Sequence, residues 1–181
     1  MAVRERLALD LATVRAAASA VPDPELPVVT LGDLGIVRGV SVTDDGAVEV
    51  RLTPTFVGCP ATEAIAADVR VAVAARLRDD GDPEVEVRTR MVLSPPWSTD
   101  WISDDGRRKL AEHGIAPPSG RRGAGPVPVT IGRGVPVTDD SVCPRCGSTD
   151  TRELSAFGST PCQALRACRA CGEPFGAMKT L

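Results

Sequence analysis

The chain has 181 residues, and its 43% hydrophobic content is enough for a buried core, which argues against a wholly disordered protein. Its net charge of −3 is uneven, because residues 1–115 hold 13 Lys and Arg against 19 Asp and Glu. An acidic body disfavours nucleic acid as the main partner, since contacts to phosphates need a basic face. The single histidine, His113, excludes most His-rich active sites.

Membrane insertion and secretion are also disfavoured by the sequence. No segment has the roughly 18 consecutive apolar residues of a membrane-spanning helix, and charged residues interrupt the N-terminal segment, unlike in a signal peptide. We therefore expect a soluble protein of the cytoplasm. In that compartment paired cysteines are metal ligands more often than disulfides.

The first predicted element is an amphipathic helix over residues 3–20, where apolar residues recur at helical spacing. Three prolines within residues 22–27 end this helix and predict an extended loop. The loop contains Asp23 and Glu25, and Asp33 follows it. Acidic residues around prolines often serve turns and caps, so this structural role stands beside a functional one.

A β-hairpin is predicted next, because residues 36–42 and 48–52 alternate apolar and polar side chains on either side of an Asp-Gly turn. A helix over about residues 60–78 and a strand over residues 85–92 follow. A strand–helix–strand unit predicts a right-handed crossover, which makes the second and third strands parallel.

The helix over residues 60–78 should begin with Pro60 and hold Glu63 in its first turn. Its predicted buried stripe consists of Ile65, Val69, Val73 and Leu77. Cys59, the only cysteine of the body, precedes this helix start. The helix dipole there favours a thiolate and a functional thiol; the alternative is a small buried apolar residue.

A short helix over about residues 103–113 is predicted to stop at Gly114. His113 would then be a surface residue near the helix C-terminus. Residues 116–137 are rich in Gly and Pro and predict a linker. The predicted domains are therefore an α/β body over residues 1–115 and a cysteine module over residues 138–181.

The cysteine module contains two C-x-x-C-G knuckles, in which the cysteines are Cys143, Cys146, Cys168 and Cys171. Two residues between cysteines let both sulfurs point to one side of a turn, and two facing knuckles form a tetrahedral S4 site that suits structural zinc. Disulfides, a redox dithiol and an iron site of rubredoxin type are the alternatives. The remaining cysteine, Cys162, is either a buried thiol, an additional ligand or a reactive group.

The predicted fold class is α/β (α+β): a small mixed sheet of about three strands with packed helices, followed by a zinc-ribbon-like module. Carboxylates and a thiolate together suit iron, so Cys59 with Asp23 or Glu25 forms a candidate site for transient iron. No acid–base pair supports catalysis in the body, so we do not expect an enzyme.

Several motifs resemble a known family. Those of the body are Asp23-Pro24-Glu25-Leu26-Pro27, Asp33-Leu34-Gly35-Ile36-Val37 and Thr53-x-Thr55-x-x-Gly58-Cys59-Pro60. They resemble the metal–sulfur cluster assembly domain family. Later motifs include Trp101-Ile102-Ser103, Gly114-Ile115-Ala116-Pro117-Pro118, Phe157-Gly158-Ser159-Thr160-x-Cys162 and Cys171-Gly172-Glu173-Pro174-Phe175. These resemble the phenylacetate-degradation branch of that family, PaaD.

The resemblance implies an accessory protein that matures the multicomponent phenylacetyl-CoA epoxidase in aerobic phenylacetate catabolism. The implied client is the iron–sulfur reductase subunit, or else the di-iron oxygenase subunit. The functional cysteine of the family corresponds to Cys59. Whether the protein holds a cluster, holds iron or only docks partners stays open at this point.

The sequence thus predicts a maturation factor with iron or a cluster in transit at Cys59 and structural zinc in the tail. One cysteine is too few for a stable cluster, so a homodimer or a ligand from the partner is expected. The competing hypotheses are a zinc-ribbon module that binds nucleic acid or protein, a thiol oxidoreductase, and an integral subunit of the oxygenase.

Overall fold

A computed structural model describes residues 9–56, 58–118 and 141–179 of the chain. It divides into two compact units, Met1–Lys109 and Leu110–Leu181. The division falls shortly before the predicted domain end at residue 115. Residues 119–140, most of the predicted linker, lie outside the described residues, whereas Ala116 belongs to a short strand of the second unit.

The first unit packs two helices against a three-stranded sheet. Its helices are α1 (Leu11–Ser19) and α2 (Thr62–Asp79), and its strands are β1 (Val37–Val42), β2 (Val48–Leu52) and β3 (Val87–Met91). Strands β1 and β2 pair antiparallel as the predicted hairpin, and β2 and β3 pair parallel. The sequence prediction of a small mixed sheet with packed helices is confirmed.

Buried side chains between α2 and the sheet form the core of this unit. The predicted stripe of α2 is confirmed, since Ile65, Val69, Val73 and Leu77 are all buried. On the facing strand β2, Val48, Val50 and Leu52 are fully buried at alternate positions. This alternation places one face of the sheet on the helices and leaves the intervening polar residues outward.

Two predicted helix starts differ from the structure. Helix α1 begins at Leu11, and the Asp10 side chain caps it by accepting hydrogen bonds from the amides of Ala12 and Thr13. Residues 3–8 of the longer predicted helix lie outside the described residues. Helix α2 begins at Thr62 after an N-cap at Ala61, so the prediction that Pro60 occupies its first position is wrong; Glu63 is in the first turn as predicted.

Helix α3 (Asp104–Glu112) follows a short 3₁₀ turn (Thr99–Trp101). Gly114, just past the helix, has a φ of +75°, as expected for a helix-ending glycine. The second unit contains strands β4 (Ile115–Ala116), β5 (Thr151–Ser155), β6 (Gln163–Cys168) and β7 (Pro174–Met178), in the sheet order β4-β7-β6-β5. In the part of the chain that is described, no helix has the length and apolar character needed to cross a bilayer.

We predict that Gly35→Ala destabilises the first unit more than Gly81→Ala. Both glycines have positive φ, +68° and +93°, so alanine at either position is strained by about 1 kcal/mol. A methyl group at Gly35 would also lie 2.6 Å from Trp101 Cβ, whereas nothing lies within 4 Å at Gly81. This close approach should add roughly 1–3 kcal/mol to the loss of stability.

Urea denaturation followed by tryptophan fluorescence measures this difference, because both tryptophans, Trp97 and Trp101, belong to the first unit. Equal losses of stability in the two variants would contradict the close packing of Gly35 on Trp101.

Candidate functional site

The segment between β2 and α2 positions Cys59. Gly58 has a φ of +88°, which turns the chain into a conformation that favours glycine. The Cys59 amide donates a hydrogen bond to the Phe56 carbonyl, and the Cys59 carbonyl accepts from both the amide and the hydroxyl of Thr62. The Cys59 thiol is half-buried in a turn fixed at both ends.

The acidic loop after α1 is fixed by Asp23. Its Oδ1 accepts hydrogen bonds from the amides of Glu25 and Leu26, both at 2.9 Å, and its own amide donates to the Val29 carbonyl. Asp23 is only 7% exposed, and burial raises the pKa of its carboxyl against the lowering effect of the two amides. Asp23 therefore shapes the loop that carries Glu25.

The structure brings Glu25 and Cys59 together. The Sγ of Cys59 lies 3.9 Å from Oε2 of Glu25, although the two residues are 34 positions apart in the chain. A soft thiolate donor and a hard carboxylate donor then face one small volume, which is a mixed ligand set that suits iron. Of the two predicted acidic partners, Glu25 makes the contact with the thiol and Asp23 supports Glu25.

Asp33 has a structural role. Its carboxylate accepts hydrogen bonds from the Thr30 amide and from Lys109 Nζ at 2.9 and 2.8 Å, and its carbonyl accepts from the Ser103 amide. Burial raises the pKa of Asp33, but the hydrogen bonds from Lys109 and Thr30 outweigh it and hold this pKa below its usual value. Asp33 thus joins the loop to α3, which is the turn-and-cap role that the sequence analysis left open.

The tail cysteines converge as the sequence predicts. The sulfurs of Cys143, Cys146, Cys168 and Cys171 all lie within 4.8 Å of one another. Two of the separations are 3.8 Å, from Cys143 to Cys171, and 3.6 Å, from Cys146 to Cys168. A tetrahedral ion with metal–sulfur bonds of about 2.3 Å holds its sulfurs roughly 3.8 Å apart, so the four residues fit such an ion.

Crowded thiols account for the need for a cation at this site. The amide of Cys171 donates a hydrogen bond to Cys168, and the pKa of the Cys168 thiol falls to about 7. The Ser148 amide donates a hydrogen bond to Cys146 and lowers the pKa of its thiol. The hydrogen bonds with Cys168 and Cys171 together have a larger, opposite effect and raise this pKa to about 12. The Cys146 thiol therefore resists ionisation beside its neighbours until a metal ion binds.

Cys162 and His113 do not belong to the four-cysteine group. Cys162 is buried, and its sulfur lies 3.1 Å from the Thr160 hydroxyl. His113 is exposed directly after α3, as predicted. Thr53, which begins the motif that leads to Cys59, has a buried Oγ1 with no hydrogen-bond partner among the described residues.

Comparison with known proteins identifies two matching families. Residues 11–87 match the model for an iron–sulfur cluster assembly protein, and residues 133–179 match the model for the PaaD zinc beta ribbon domain. A protein of Escherichia coli, provisionally named as one of the subunits of 1,2-phenylacetyl-CoA epoxidase, is 40% identical over 90% of this chain and 88% of its own length.

Further similarities cover about half of the chain. A Porphyromonas gingivalis protein named an Fe-S protein maturation auxiliary factor is 36% identical over 49% of this chain and 78% of its own length. A crystal structure of a domain of unknown function, DUF59, from Bacillus anthracis covers 55% of this chain and 90% of that one, with 31% identity and a TM-score of 0.48.

We predict that the chain binds one metal ion in the tail and that a strong chelator unfolds the second unit. Four closely spaced thiolates are stable only with a cation, and small modules of this kind fold with their metal. Metal analysis should give one ion per chain, lost in Cys168→Ser and retained in the control Cys162→Ser. Metal content that persists in Cys168→Ser would contradict this assignment.

We predict opposite effects for two substitutions of Asp23. Asp23→Ala removes the acceptor of two amides and should destabilise the fold by about 1–2 kcal/mol, whereas Asp23→Asn keeps an acceptor. Because the pKa of Asp23 is raised in the folded state, protonation of its carboxyl stabilises the fold. This stabilisation is fully present below the unfolded-state pKa and is lost as the pH rises through the folded-state pKa.

Asparagine does not titrate, so the free energy of unfolding of Asp23→Asn should change less with pH over this range. At neutral pH this variant should be at least as stable as the wild type. Urea denaturation between pH 3 and 8 tests both variants. Asp23→Asn that is as unstable as Asp23→Ala at pH 7 would contradict the positioning role.

Proposed function

Because the chain belongs to the PaaD family, we propose that it is an accessory maturation factor for a phenylacetyl-CoA epoxidase, which acts in the cytoplasm and supplies iron or an iron–sulfur cluster to a subunit of that enzyme. Two similarities support this proposal: the epoxidase-subunit name of the E. coli relative and the maturation-factor name of the P. gingivalis relative. The chain itself would catalyse no epoxidation.

The observation that carries the proposal is the contact between Cys59 and Glu25. These side chains offer one sulfur and one oxygen ligand 3.9 Å apart, which leaves other coordination positions of an iron ion or cluster for a donor and an acceptor. A site with few protein ligands exchanges its cargo more readily than a closed S4 site. Two copies of the chain, each contributing Cys59, would be one way to complete the ligands.

Transfer at this site would be a ligand exchange without a change of oxidation state. The Cys59 thiol loses its proton when it binds the cargo, because the thiolate is the metal ligand. Thiolates or carboxylates of the client then replace Cys59 and Glu25 on the iron, and Cys59 regains a proton from solvent. Glu25 would act as the weaker ligand that makes release possible.

The tail would hold zinc as a structural ion. Tetrahedral thiolate sites with C-x-x-C knuckles suit zinc, and the matched family model is a zinc ribbon. With all four positions occupied by cysteine, this zinc would shape a client-docking module and take no part in transfer. We propose the iron–sulfur reductase subunit as the client and the di-iron oxygenase subunit as the second candidate.

Complementation tests the proposal in cells that lack the chain. There, Cys59→Ser should leave the co-expressed reductase with at least tenfold less iron per protein chain, because the cargo would lose its thiolate ligand on the way to the client. The matched control is Cys162→Ser, which changes the other cysteine outside the four-cysteine group. Full iron loading of both the reductase and the oxygenase with Cys59→Ser would overturn the proposal.

A further inference from the structure

Two arginines lie side by side on the solvent face of the sheet in the first unit. Arg51 of β2 alternates with Val50 and Leu52, which are buried against the helices, so its side chain is on the opposite, exposed face. The strand register places Arg51 between Gly39 of β1 and Arg90 of β3, and Arg90 is also exposed. Arg51 and Arg90, the arginine row, therefore lie next to each other on neighbouring strands.

The arginine row has a defined place on the sheet. A methyl group added at Gly39 would lie 2.5 Å from Nη2 of Arg51, so the guanidinium of Arg51 occupies the space that the glycine leaves beside β1. Arg38, directly before Gly39, places its guanidinium 3.5 Å from the centre of the Trp101 ring. A cation–π contact of this kind holds a guanidinium in position. A third positive charge thus borders the row.

Neither arginine of the row has an ionic partner. In the described part of the chain, Arg51 and Arg90 form no salt bridge. Arg88, two positions earlier on β3, shows the contrary case, since it pairs with Asp45 at 2.7 Å and with Glu86 at 2.6 Å. Like charges directly opposite each other destabilise a sheet. A bound anionic partner would relieve this repulsion, which the fold itself leaves uncompensated.

We propose that the arginine row binds an extended acidic segment of a partner protein that carries carboxylates at alternate positions. Guanidinium groups bind carboxylates through two parallel hydrogen bonds, and arginine clusters recognise acidic motifs in this way. Alternate side chains of an extended segment point to one side about 7 Å apart. Positive groups that cover three strands, a width of roughly 10 Å, suit two or more such carboxylates better than one small anion.

The surroundings of the row favour a protein segment over a nucleic acid. Glu49 lies two residues before Arg51 on the same face, and two further carboxylates are bound to Arg88 beyond it. A nucleic acid presents phosphates over a wide area and would meet these carboxylates, whereas a short acidic segment can cross the sheet at the row alone. Arg38 covers one side of the Trp101 ring, so that side is closed to a stacking base.

The row contains none of the residues that would handle metal. Arg51 and Arg90 each come one residue before the end of their strands, whereas the ligand pair of the proposed function is Cys59 and Glu25. Substitutions can therefore remove docking without changing the ligands of the cargo. The docking inference goes beyond the proposed function and does not rest on it.

Fluorescence anisotropy of a labelled octapeptide, in which glutamate alternates with serine, tests this inference on the full-length, metal-loaded chain at low ionic strength. Arg51→Gln and Arg90→Gln should each weaken the affinity roughly tenfold, because a charge-assisted, two-bonded contact is lost. The matched control is Arg78→Gln, which removes an exposed arginine of α2 on the other side of the sheet. It should change the affinity less than about twofold, since exposed charges that are remote from a ligand are screened.

Gly39→Ala separates the placement of Arg51 from its charge. The φ of Gly39 is not positive, so the backbone accepts alanine, and the added methyl group displaces only the flexible end of Arg51. This variant should weaken the affinity about threefold with no change of net charge, because the geometry of the contact is altered. Thermal unfolding followed by tryptophan fluorescence confirms that each variant folds.

A double variant, Arg51→Gln with Arg90→Gln, that binds the peptide as tightly as the wild type would overturn the docking inference. Tighter binding of single-stranded DNA than of the peptide, lost in the double variant, would also overturn it, because the row would then serve nucleic acid. Self-association of the wild type that the double variant abolishes would overturn it as well, since the occupant would be a second copy. Gly39→Ala with wild-type affinity would contradict the placement of Arg51.

Discussion

The candidate site depends on one turn, in which the buried carboxylate of Asp23 organises the half-buried carboxylate of Glu25. Asp23 accepts two backbone amides at 2.9 Å, and this fixes the loop that carries Glu25 to within 3.9 Å of the Cys59 sulfur. Without it, the amides of Glu25 and Leu26 would lose their acceptor, and the loop would hold Glu25 less firmly. Burial of Asp23 disfavours its charge, so the fold accepts an unfavourable ionisation in order to hold a ligand pair in place.

The two cysteine sites differ in the way that structural and transfer sites should differ. In the tail, four sulfurs lie within 4.8 Å of one another, and an ion there has no open position. In the body, one thiol and one carboxylate meet at a half-buried turn. A closed site retains its metal and stabilises a small fold, whereas an incomplete site needs ligands from elsewhere and can release its cargo.

Local sequence patterns predicted much of this architecture. The Asp-Gly turn predicted the β1–β2 hairpin, helical spacing predicted the buried stripe of α2, and knuckle spacing predicted the four-cysteine group. Contacts across long separations were harder to predict. The sequence grouped Cys59 with Asp23 or Glu25 without showing which acid meets the thiol, and it gave no sign that Lys109 meets Asp33, 76 residues away. The sequence placed the start of α2 at Pro60 because proline often occupies the first position of a helix. In the structure the amide and hydroxyl of Thr62 donate to the Cys59 carbonyl, so a turn comes first and the helix begins at Thr62.

The most direct test is cargo transfer in vitro. The zinc-loaded chain would be reconstituted anaerobically with iron and sulfide, separated from excess reagents and mixed with the metal-free reductase, while visible circular dichroism follows the cluster. The account predicts that the wild type speeds cluster formation in the reductase, that Glu25→Gln slows it, and that Cys59→Ser abolishes the effect with the tail zinc still bound. Transfer by Cys59→Ser at the wild-type rate would contradict the account.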